Sequence, residues 1–188
     1  MLSEDFADKI NRLKPDLIIV IAFKILPESI FSIPTHGTMN LHASLLPAYR
    51  GAAPIQRAIL NGEKTTGVST FFIDSSIDTG EIILQNKIAI LDSDDSGSVH
   101  RKLATIGASL VLDSISHINS NNPLTKQNNK GSYAKKIQKN ELQIDWNDSC
   151  QNIFNKIRAF SPIPSSFSFI NKKRIKILSS RISSNATL

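Results

Sequence analysis

The sequence is poor in the features that mark secreted, membrane-spanning and thiolate-zinc proteins. Its one cysteine, Cys150, excludes an internal disulfide and any zinc site built from several thiolates. The longest apolar run, Leu17 to Phe23, is far shorter than the roughly 20 residues that a helix needs to cross a bilayer. Acidic residues at Glu4, Asp5 and Asp8 argue against a secretory signal. We therefore expect a cytoplasmic protein that makes no membrane contact.

Motifs for phosphate and metal binding are also absent from the sequence. It contains neither the P-loop pattern nor Gly-x-Gly-x-x-Gly. Residues 92–97 resemble the start of a calcium loop, but Leu103 stands where the bidentate glutamate belongs, and helix capping explains the stretch better. Three histidines without ligand spacing are expected at the surface or on helix faces: His36, His100 and His117. The sequence therefore predicts no metal site.

The net charge of +6 is unevenly distributed along the chain. Residues 1–120 hold 10 Lys/Arg and 13 Asp/Glu, whereas residues 121–188 hold 12 and 3, a net charge of +9. A strongly basic C-terminal third favours a polyanionic partner such as nucleic acid. The alternative is a set of exposed lysines that only keep the protein soluble.

Hydrophobic periodicity predicts strands that alternate with helices in the first 120 residues. Phe6, Ile10 and Leu13 fit one helix face after a Ser3 cap, and residues 17–23 are predicted to form a buried strand. Further strands are expected near residues 38–43, 66–73 and 81–90, with helices near residues 27–31, 53–60 and 99–118. This order predicts an α/β sheet with flanking helices.

A change in composition divides the chain. Residues 121–142, rich in Asn, Gln, Lys and Ser, are predicted to link a sheet domain at residues 1–120 to the start of a second, smaller domain at residues 143–188. Within the second domain we expect a helix near residues 149–160 and a hairpin that turns at Asn171 to Lys173. This last piece is too small to be stable alone.

Two polar clusters follow apolar strands and could carry chemistry. Strand alternation places Asn40 and His42 on one face at the end of the second strand, where an amide donor beside an imidazole suits acyl transfer. Asp78 follows the next strand in Ile-Asp-Thr-Gly, and a carboxylate beside His42 would orient and charge-stabilise the imidazole. From spacing alone, the alternatives are a core or exposed histidine and a turn aspartate.

The same residues lie in two longer motifs that resemble a known family. Residues 36–55, HGTMNLHASLLPAYRGAAPI, are similar to the signature of the folate-dependent formyltransferases, and residues 77–80 fall where that family keeps its catalytic aspartate. The resemblance implies a Rossmann-like sheet, followed by a small OB-like β-barrel. It also implies transfer of a formyl group from 10-formyltetrahydrofolate to an amine, with Asn40, His42 and Asp78 as the catalytic trio.

Other segments favour one branch of the family. Residues 51–55, 133–137, 144–146 and 157–162 resemble members that formylate methionine on initiator methionyl-tRNA. Such a partner would explain the basic C-terminal third through phosphate contacts. Rival interpretations are a formyltransferase for a nucleotide-sugar or purine-precursor amine, and a catalytically dead remnant that binds RNA. Relative to the family, the chain looks truncated at both ends, and its loop at residues 22–27 is one residue shorter.

The resemblance and the charge pattern together imply further site residues. Backbone groups of the loop after the first strand and of the turn before Asp78 would hold the pteridine, and the turn after His42 would shape the floor of the site. The residues expected to bind folate are Phe23, Lys24, Ile25, Leu26, Ser44, Leu45, Leu46 and Pro47. Those expected to bind the tRNA substrate are Arg50, Lys135, Lys136, Lys172, Lys173 and Arg174. Alternatively, Arg50 forms a structural ion pair and the lysines are solvated surface residues. The protein is expected to act as a monomer.

Overall fold

A mixed four-stranded sheet with flanking helices forms the centre of the fold. The structure is a computed structural model and describes residues 4–128 and 130–183. Its strands are β1 (Ile18–Ile21), β2 (Thr38–His42), β3 (Arg50–Gly51), β4 (Thr65–Phe72), β5 (Ile82–Ala89), β6 (Tyr133–Ala134), β7 (Ser166–Ile170) and β8 (Lys173–Ile177). Its helices are α1 (Glu4–Leu13), α2 (Glu28–Phe31), α3 (Pro54–Leu60), α4 (Ser96–Asn119) and α5 (Cys150–Phe160), with a short 3₁₀ helix at Lys139–Leu142. This arrangement confirms the predicted α/β architecture; the Ser3 cap lies outside the described residues.

The strands of the central sheet lie in the order β1-β2-β4-β5. β1 and β2 run parallel, whereas β4 is antiparallel to both of its neighbours. Two smaller sheets pair β3 with β6 and β7 with β8. Within residues 4–128 and 130–183, no helix is long and apolar enough to cross a membrane.

Helix α4 covers one face of the sheet because its buried residues recur at helical spacing. Asp95 caps its first turn by accepting a backbone hydrogen bond. The buried stripe consists of Ser96, Val99, Leu103, Gly107, Leu110 and Ser114. Two of these residues are small because the sheet comes close: a Cβ at Gly107 would lie 2.9 Å from Leu41 Cδ2, and Ser114 Oγ is 2.7 Å from Thr70 Oγ1. The helix predicted near residues 99–118 is confirmed, with Val99, Leu103 and Leu110 as the apolar residues of its buried face.

The first strand is less buried than its sequence suggests. Ile19 and Ile21 of β1 are 40% and 58% exposed, so the prediction of a buried strand at residues 17–23 is wrong for one of its faces. β1 is the edge strand among the described residues. Val20 belongs to the small core around Leu26, and Ile18 packs against that core and is partly buried. A run of β-branched residues indicates strand propensity, but it does not indicate what covers each face.

Side-chain alternation in β2 and β4 separates a helix-facing side of the sheet from a second side that holds the predicted site. Leu41 contacts α4, so Asn40 and His42 point away from the helix. Ser69, opposite His42 in the register, lies on the same side and accepts a hydrogen bond from Leu46 N–H at 3.0 Å. The chain that follows β2 therefore folds back over the side that carries Asn40 and His42.

Helix α5 joins the C-terminal residues to the sheet domain through a buried arginine. Arg158 is 6% exposed, and its side chain donates hydrogen bonds to the Leu91 carbonyl at 3.0 Å and to Asn155 Oδ1 at 3.1 and 3.2 Å. Ser96 Oγ, at the start of α4, donates to the Ser161 carbonyl at 2.7 Å. These contacts anchor the end of α5 against the start of α4.

The predicted C-terminal hairpin is confirmed as β7 and β8. Its two-residue turn consists of Asn171 and Lys172, with φ of 49° and 65°, which is the conformation expected for a type I′ turn. The sequence predicts Lys173 in the turn, but this residue already belongs to β8, because the tight turn needs only two residues. The first four residues of β8 are exposed.

The segment predicted as a linker lies on the surface, yet it is bound to the sheet domain along its length. Thr125 and Ile82 exchange two backbone hydrogen bonds of 2.8 and 2.9 Å, and β6 pairs in parallel with β3. Further along, Arg57 Nη1 is 2.6 Å from Glu141 Oε2. The predicted domain boundaries at residues 120 and 142 stay a prediction.

Candidate functional site

The fold brings His42 and Asp78 together at the end of β2. His42 Nδ1 is 3.7 Å from Asp78 Oδ2, and the two side chains are 8% and 15% exposed. Asp78 Oδ2 also accepts a hydrogen bond from Gly51 N–H at 2.7 Å. Because both groups are largely shielded from water, the carboxylate attracts a positive charge on the imidazole more strongly than it would at the surface.

The backbone carbonyl of Tyr49 is the second partner of His42. His42 Nε2 lies 2.9 Å from this oxygen, and since a carbonyl can only accept, Nε2 carries the proton in that contact. The lone pair of the neutral ring is then on Nδ1, which faces Asp78. The ring can therefore take up a proton at Nδ1 and place it beside a carboxylate.

Tyr49 is itself fixed on several sides. Its φ of 59° is unusual for a residue other than glycine, and its N–H donates to Ser132 Oγ at 2.9 Å. Its phenol donates to Glu63 Oε1 at 2.7 Å and accepts from Asn61 Nδ2 at 3.0 Å. Burial, together with the hydrogen bond to Glu63, raises the pKa of Tyr49 to about 12. These contacts hold the carbonyl that orients His42.

Asn40 shares the site-facing side of β2 with His42 and is partly exposed. Its amide can donate a hydrogen bond to a ligand oxygen on that side. The three residues predicted to be catalytic are thus gathered on one side of the sheet, and their catalytic roles stay a prediction.

The turn after β2 is a rigid part of the site. Ser69 Oγ donates to the Ser44 carbonyl at 2.6 Å and accepts from Leu46 N–H at 3.0 Å. Ser44 and Leu46 are 1% and 3% exposed, whereas Leu45 and Pro47 are partly exposed. A folate contact by this predicted segment would therefore use Leu45, Pro47 or the backbone.

The loop after β1, predicted to bind the pteridine, presents apolar side chains at the surface. Phe23 and Ile25 are 56% and 79% exposed, whereas Leu26 is buried at 7% and anchors the loop. Lys24 lies between them and is exposed. Exposed aromatic and aliphatic groups suit a flat aromatic ligand. The pteridine contact of this loop stays a prediction.

Arg50 is bound to the segment that follows α4. Its Nε and Nη2 donate to Gln127 Oε1 at 3.1 and 2.7 Å, and Nη2 also donates to the Asn128 carbonyl at 3.1 Å. Gln127 Nε2 in turn donates to the Asp78 and Gly80 carbonyls at 3.1 and 2.7 Å. The structural alternative for Arg50 thus has an observed basis, with an amide rather than an ion as partner, and its tRNA contact stays a prediction.

An open cavity of about 380 Å³ lies beside the loop of Asp78. It is lined by Phe72, Ile73, Asp74, Thr79, Gly80, Glu81, Lys126 and Gln127. A ligand in this cavity would contact both the loop and the segment that binds Arg50. In the part of the chain that the structure describes, no group of three or more His, Cys, Asp or Glu could hold a metal ion.

The basic residues predicted to contact phosphates form two exposed groups. Lys135 and Lys136 directly follow β6. The hairpin turn and the start of β8 carry Lys172, Lys173 and Arg174. The Arg174 guanidinium carbon lies 3.9 Å from the centre of the Phe167 ring, so the charged group stacks on the ring while the residue as a whole stays exposed. Contact with tRNA stays a prediction for both groups.

Sequence reasoning missed three groups that build the site: Gln127, Ser132 and the carbonyl of Tyr49. Gln127 and Ser132 contact residues in distant segments, whereas the Tyr49 carbonyl contacts His42, seven residues before it. A glutamine or serine within an Asn- and Ser-rich stretch carries no local pattern that would distinguish it, and a backbone carbonyl carries none at all. Only the three-dimensional arrangement identifies them.

Comparison with known proteins identifies the family. The family model described as formyl transferase matches residues 1–115, and the model described as formyl transferase, C-terminal domain, matches residues 136–188. The methionyl-tRNA formyltransferase of Thermodesulfovibrio yellowstonii is 44% identical over 184 residues, which are 97% of this chain and 60% of that protein. The one of Flavobacterium johnsoniae is 44% identical over 90% of this chain and 55% of its own length. The chain thus spans about 60% or less of the length of these relatives.

Solved structures share the fold. A sugar N-formyltransferase from Shewanella sp FDAARGOS_354 has a TM-score of 0.80 at 20% identity, over 96% of this chain and 76% of its own. Methionyl-tRNA formyltransferase from Clostridium thermocellum has a TM-score of 0.74 at 21% identity, over 94% and 77%. HypX from Aquifex aeolicus, in complex with tetrahydrofolic acid, has a TM-score of 0.75 at 22% identity, over 92% and 31%. On its own motifs, its fold and the family models, the chain belongs to the formyl transferase family.

Proposed function

We propose that this chain transfers a formyl group from 10-formyltetrahydrofolate to the α-amino group of methionine on initiator methionyl-tRNA. The observation that carries the proposal is the shielded His42–Asp78 pair, 3.7 Å apart, in a chain 44% identical to a protein named methionyl-tRNA formyltransferase. The tetrahydrofolic acid in the complex of the fold neighbour HypX supports a folate co-substrate. The proposal includes a cytoplasmic location, because the acceptor is a substrate of translation initiation. It also includes a monomeric enzyme.

In the proposed reaction the methionine amine attacks the formyl carbon, and negative charge develops on the formyl oxygen. Asn40 donates a hydrogen bond to that oxygen; one such donor typically contributes roughly 100- to 1000-fold to the rate. The new bond joins the amine nitrogen to the formyl carbon, and the bond to the folate nitrogen breaks. Because the amine is itself a good nucleophile, no covalent enzyme intermediate is needed.

His42 moves the proton in this scheme. Its Nε2 is engaged by the Tyr49 carbonyl at 2.9 Å, so Nδ1 is the atom that accepts the proton of the attacking amine. The proton is returned to the departing folate nitrogen, directly or through an ordered water. Asp78, which is held by Gly51 N–H at 2.7 Å, stabilises the imidazolium that exists between the two transfers.

In this proposal the folate binds an apolar surface and the tRNA binds a basic one. The pteridine is held by the apolar loop at residues 23–26, with the turn at residues 44–47 below it. The tRNA phosphates are contacted by the exposed basic residues Lys135, Lys136, Lys172, Lys173 and Arg174. Arg50 is best assigned to the site itself, since its guanidinium binds Gln127 at 2.7 Å.

The decisive test is to incubate this chain with 10-formyltetrahydrofolate and methionyl initiator tRNA and to measure formyl-methionyl-tRNA. We expect product that disappears in His42→Ala and persists in His100→Ala, a matched substitution at an exposed position of α4. Equal turnover by the wild type and His42→Ala would overturn the assignment of His42. No product from the wild type would overturn the proposed activity of this chain, while its family membership would stand.

The same assay separates the rival functions. An amino-sugar nucleotide or a purine-precursor amine replaces the tRNA in parallel reactions, and formylation of one of these alone would replace the proposed acceptor. Salt-dependent tRNA binding without turnover on any acceptor would indicate an RNA-binding remnant.

A further inference from the structure

The segment that follows α4 crosses the loops of the site and is held to them at several points. We call it the strap and define it as residues 125–128 and 130–134. At one end Thr125 is paired with Ile82 through backbone hydrogen bonds of 2.8 and 2.9 Å, and at the other end β6 is paired with β3. Between these ends Gly131 fits so closely that an added Cβ would lie 2.1 Å from the Pro47 carbonyl oxygen. The strap therefore has one defined position over the site.

Gln127 is the strap residue that connects two site loops through one amide group. Its Oε1 accepts two hydrogen bonds from the Arg50 side chain, at 3.1 and 2.7 Å. Its Nε2 donates to the carbonyls of Asp78 and Gly80, at 3.1 and 2.7 Å. Arginine only donates and carbonyls only accept, so this amide orientation alone satisfies all four contacts. An amide is required at this position, since neither a carboxylate nor an amine can do both.

We propose that Gln127 is a positioning residue that holds the Asp78 carboxylate at its working distance from His42. The inference rests on the proposed function and adds a residue outside the three that the sequence motifs identify. Arg50 holds Oε1 of the Gln127 side chain. Nε2 of the same side chain then holds the backbone carbonyls on both sides of Thr79. Gln127 itself touches no reacting atom.

The backbone of Asp78 needs such a support. Its φ is 54°, a left-handed conformation that costs energy for a residue with a side chain. At Gly80 an added Cβ would lie 1.7 Å from the Phe72 carbonyl oxygen, so the loop already follows a close path. Gln127 binds the carbonyls at these two positions. Without it, both carbonyls lose their donor, and the carboxylate can leave the imidazole; a misplacement of about 1 Å can cost roughly 100-fold in rate.

Two substitutions separate positioning of Asp78 from anchoring of Arg50. Gln127→Ala removes both contacts. Gln127→Glu keeps an acceptor for Arg50 and strengthens it with charge, but places an oxygen against the Asp78 and Gly80 carbonyls. Anchoring of Arg50 alone would leave Gln127→Glu active, whereas positioning of Asp78 makes both variants defective. Gln143→Ala is the matched control, because Gln143 is exposed and lies outside the strap.

The first readout is independent of turnover. The Gly51 N–H donates to Asp78 Oδ2 at 2.7 Å, so its proton chemical shift and exchange rate indicate where the carboxylate lies. By NMR of the full chain, we expect Gln127→Ala and Gln127→Glu to change the Gly51 signal in the direction seen in Asp78→Ala and to accelerate its exchange. Gln143→Ala is expected to leave the signal unchanged. An unaltered Gly51 signal in both Gln127 variants would overturn the proposal even if the chain had no formyltransferase activity.

The second readout is kinetic. We expect kcat to fall about 10- to 100-fold in both Gln127 variants, with KM for the tRNA little changed, because Gln127 acts on the reacting groups rather than on tRNA binding. In an Asp78→Ala background the further decrease on Gln127→Ala should be small, since the group it positions is gone. Full additivity of the two decreases would mean that Gln127 does not act through Asp78, and a lowered Tm with unchanged kcat would assign Gln127 a role in stability only. Either result would overturn the proposal.

Discussion

The site and the C-terminal hairpin use charge in opposite ways. His42 and Asp78 are 8% and 15% exposed in their side chains, and each has a second partner that fixes its position. In β8 the first four residues are exposed, and the sequence contains no Asp or Glu after Asp148. One region thus depends on the placement of two groups, whereas the other depends on the sum of many charges. Substitutions in the two regions should therefore fail in different ways.

The largest effect is expected from a change of charge in the site without a change of shape. Asp78→Asn keeps an oxygen that can accept from Gly51 N–H but removes the charge beside the imidazole. We expect kcat to fall roughly 100- to 1000-fold with the Tm nearly unchanged. The measurement is single-turnover formylation beside thermal unfolding, with Asp113→Asn on the exposed side of α4 as control. A normal rate in Asp78→Asn would show that catalysis does not depend on the charge of Asp78.

Between the site and the hairpin in the chain, the contact of α5 with the sheet domain should fail through stability rather than rate. Arg158 is 6% exposed and donates to the Leu91 carbonyl and Asn155 Oδ1. Arg158→Ala removes these hydrogen bonds together with the packing of a buried side chain, although the Leu91 carbonyl still accepts from Asp94 N–H and Asn155 Oδ1 still accepts from Gln151 Nε2. We expect the free energy of unfolding to fall by about 2 kcal/mol. Urea unfolding measures this, with Arg101→Ala at an exposed position of α4 as control. Equal stability of the two variants would contradict a structural role for the buried arginine.

The hairpin should respond to the number of charges rather than to any one of them. Replacing Lys172, Lys173 and Arg174 together with glutamine should raise KM for tRNA by about 10-fold. It should also lower the slope of log K against log salt by about 1 for each phosphate that the variant no longer neutralises. The kcat at saturating tRNA should not change, because these side chains lie outside the site. A pair of exposed charges in the sheet domain, Lys87 and Arg101, provides the control. An unchanged salt slope in the triple variant would show that these residues do not contact the tRNA phosphates.

The sequence could predict the features that depend on local pattern, but not those that depend on contacts between distant segments. The buried face of α4 follows from local periodicity, and Asn40 and His42 share a face because β2 alternates. Their proximity to Asp78 follows from the family motif rather than from spacing. The role of Gln127 and the exposure of Ile21 could not be predicted, because both depend on which distant segment lies opposite. Local pattern determines which way a side chain points, and only the assembled fold determines what it meets.

The smallest expected effect is a loss of stability in acid, which depends on carboxyl groups that the hairpin lacks. Burial alone would raise the pKa of Asp94, but hydrogen bonds from Lys102, the Leu91 N–H and Ser98 outweigh it, so this pKa lies below its ordinary 3.8. Arg57 likewise lowers the pKa of Glu141 below its ordinary 4.5. A carboxyl whose folded-state pKa is lowered stabilises the protein above its unfolded-state pKa and loses that contribution as the pH falls through the folded-state pKa.

We therefore expect the free energy of unfolding to be level from pH 7 to about pH 5 and to decline as the pH falls below the ordinary pKa values of these two carboxyls. Asp94→Asn should lower stability at pH 7 and flatten the decline, by less than the Arg158→Ala effect because the Lys102 side chain is 40% exposed and solvent screens the pair. Urea titrations at several pH values measure this. The β7–β8 hairpin lacks carboxylates, so its amide signals should not shift in this range before global unfolding. If they shifted with the sheet domain, or if Asp94→Asn declined as steeply as the wild type, acid sensitivity would have to arise outside these two ion pairs.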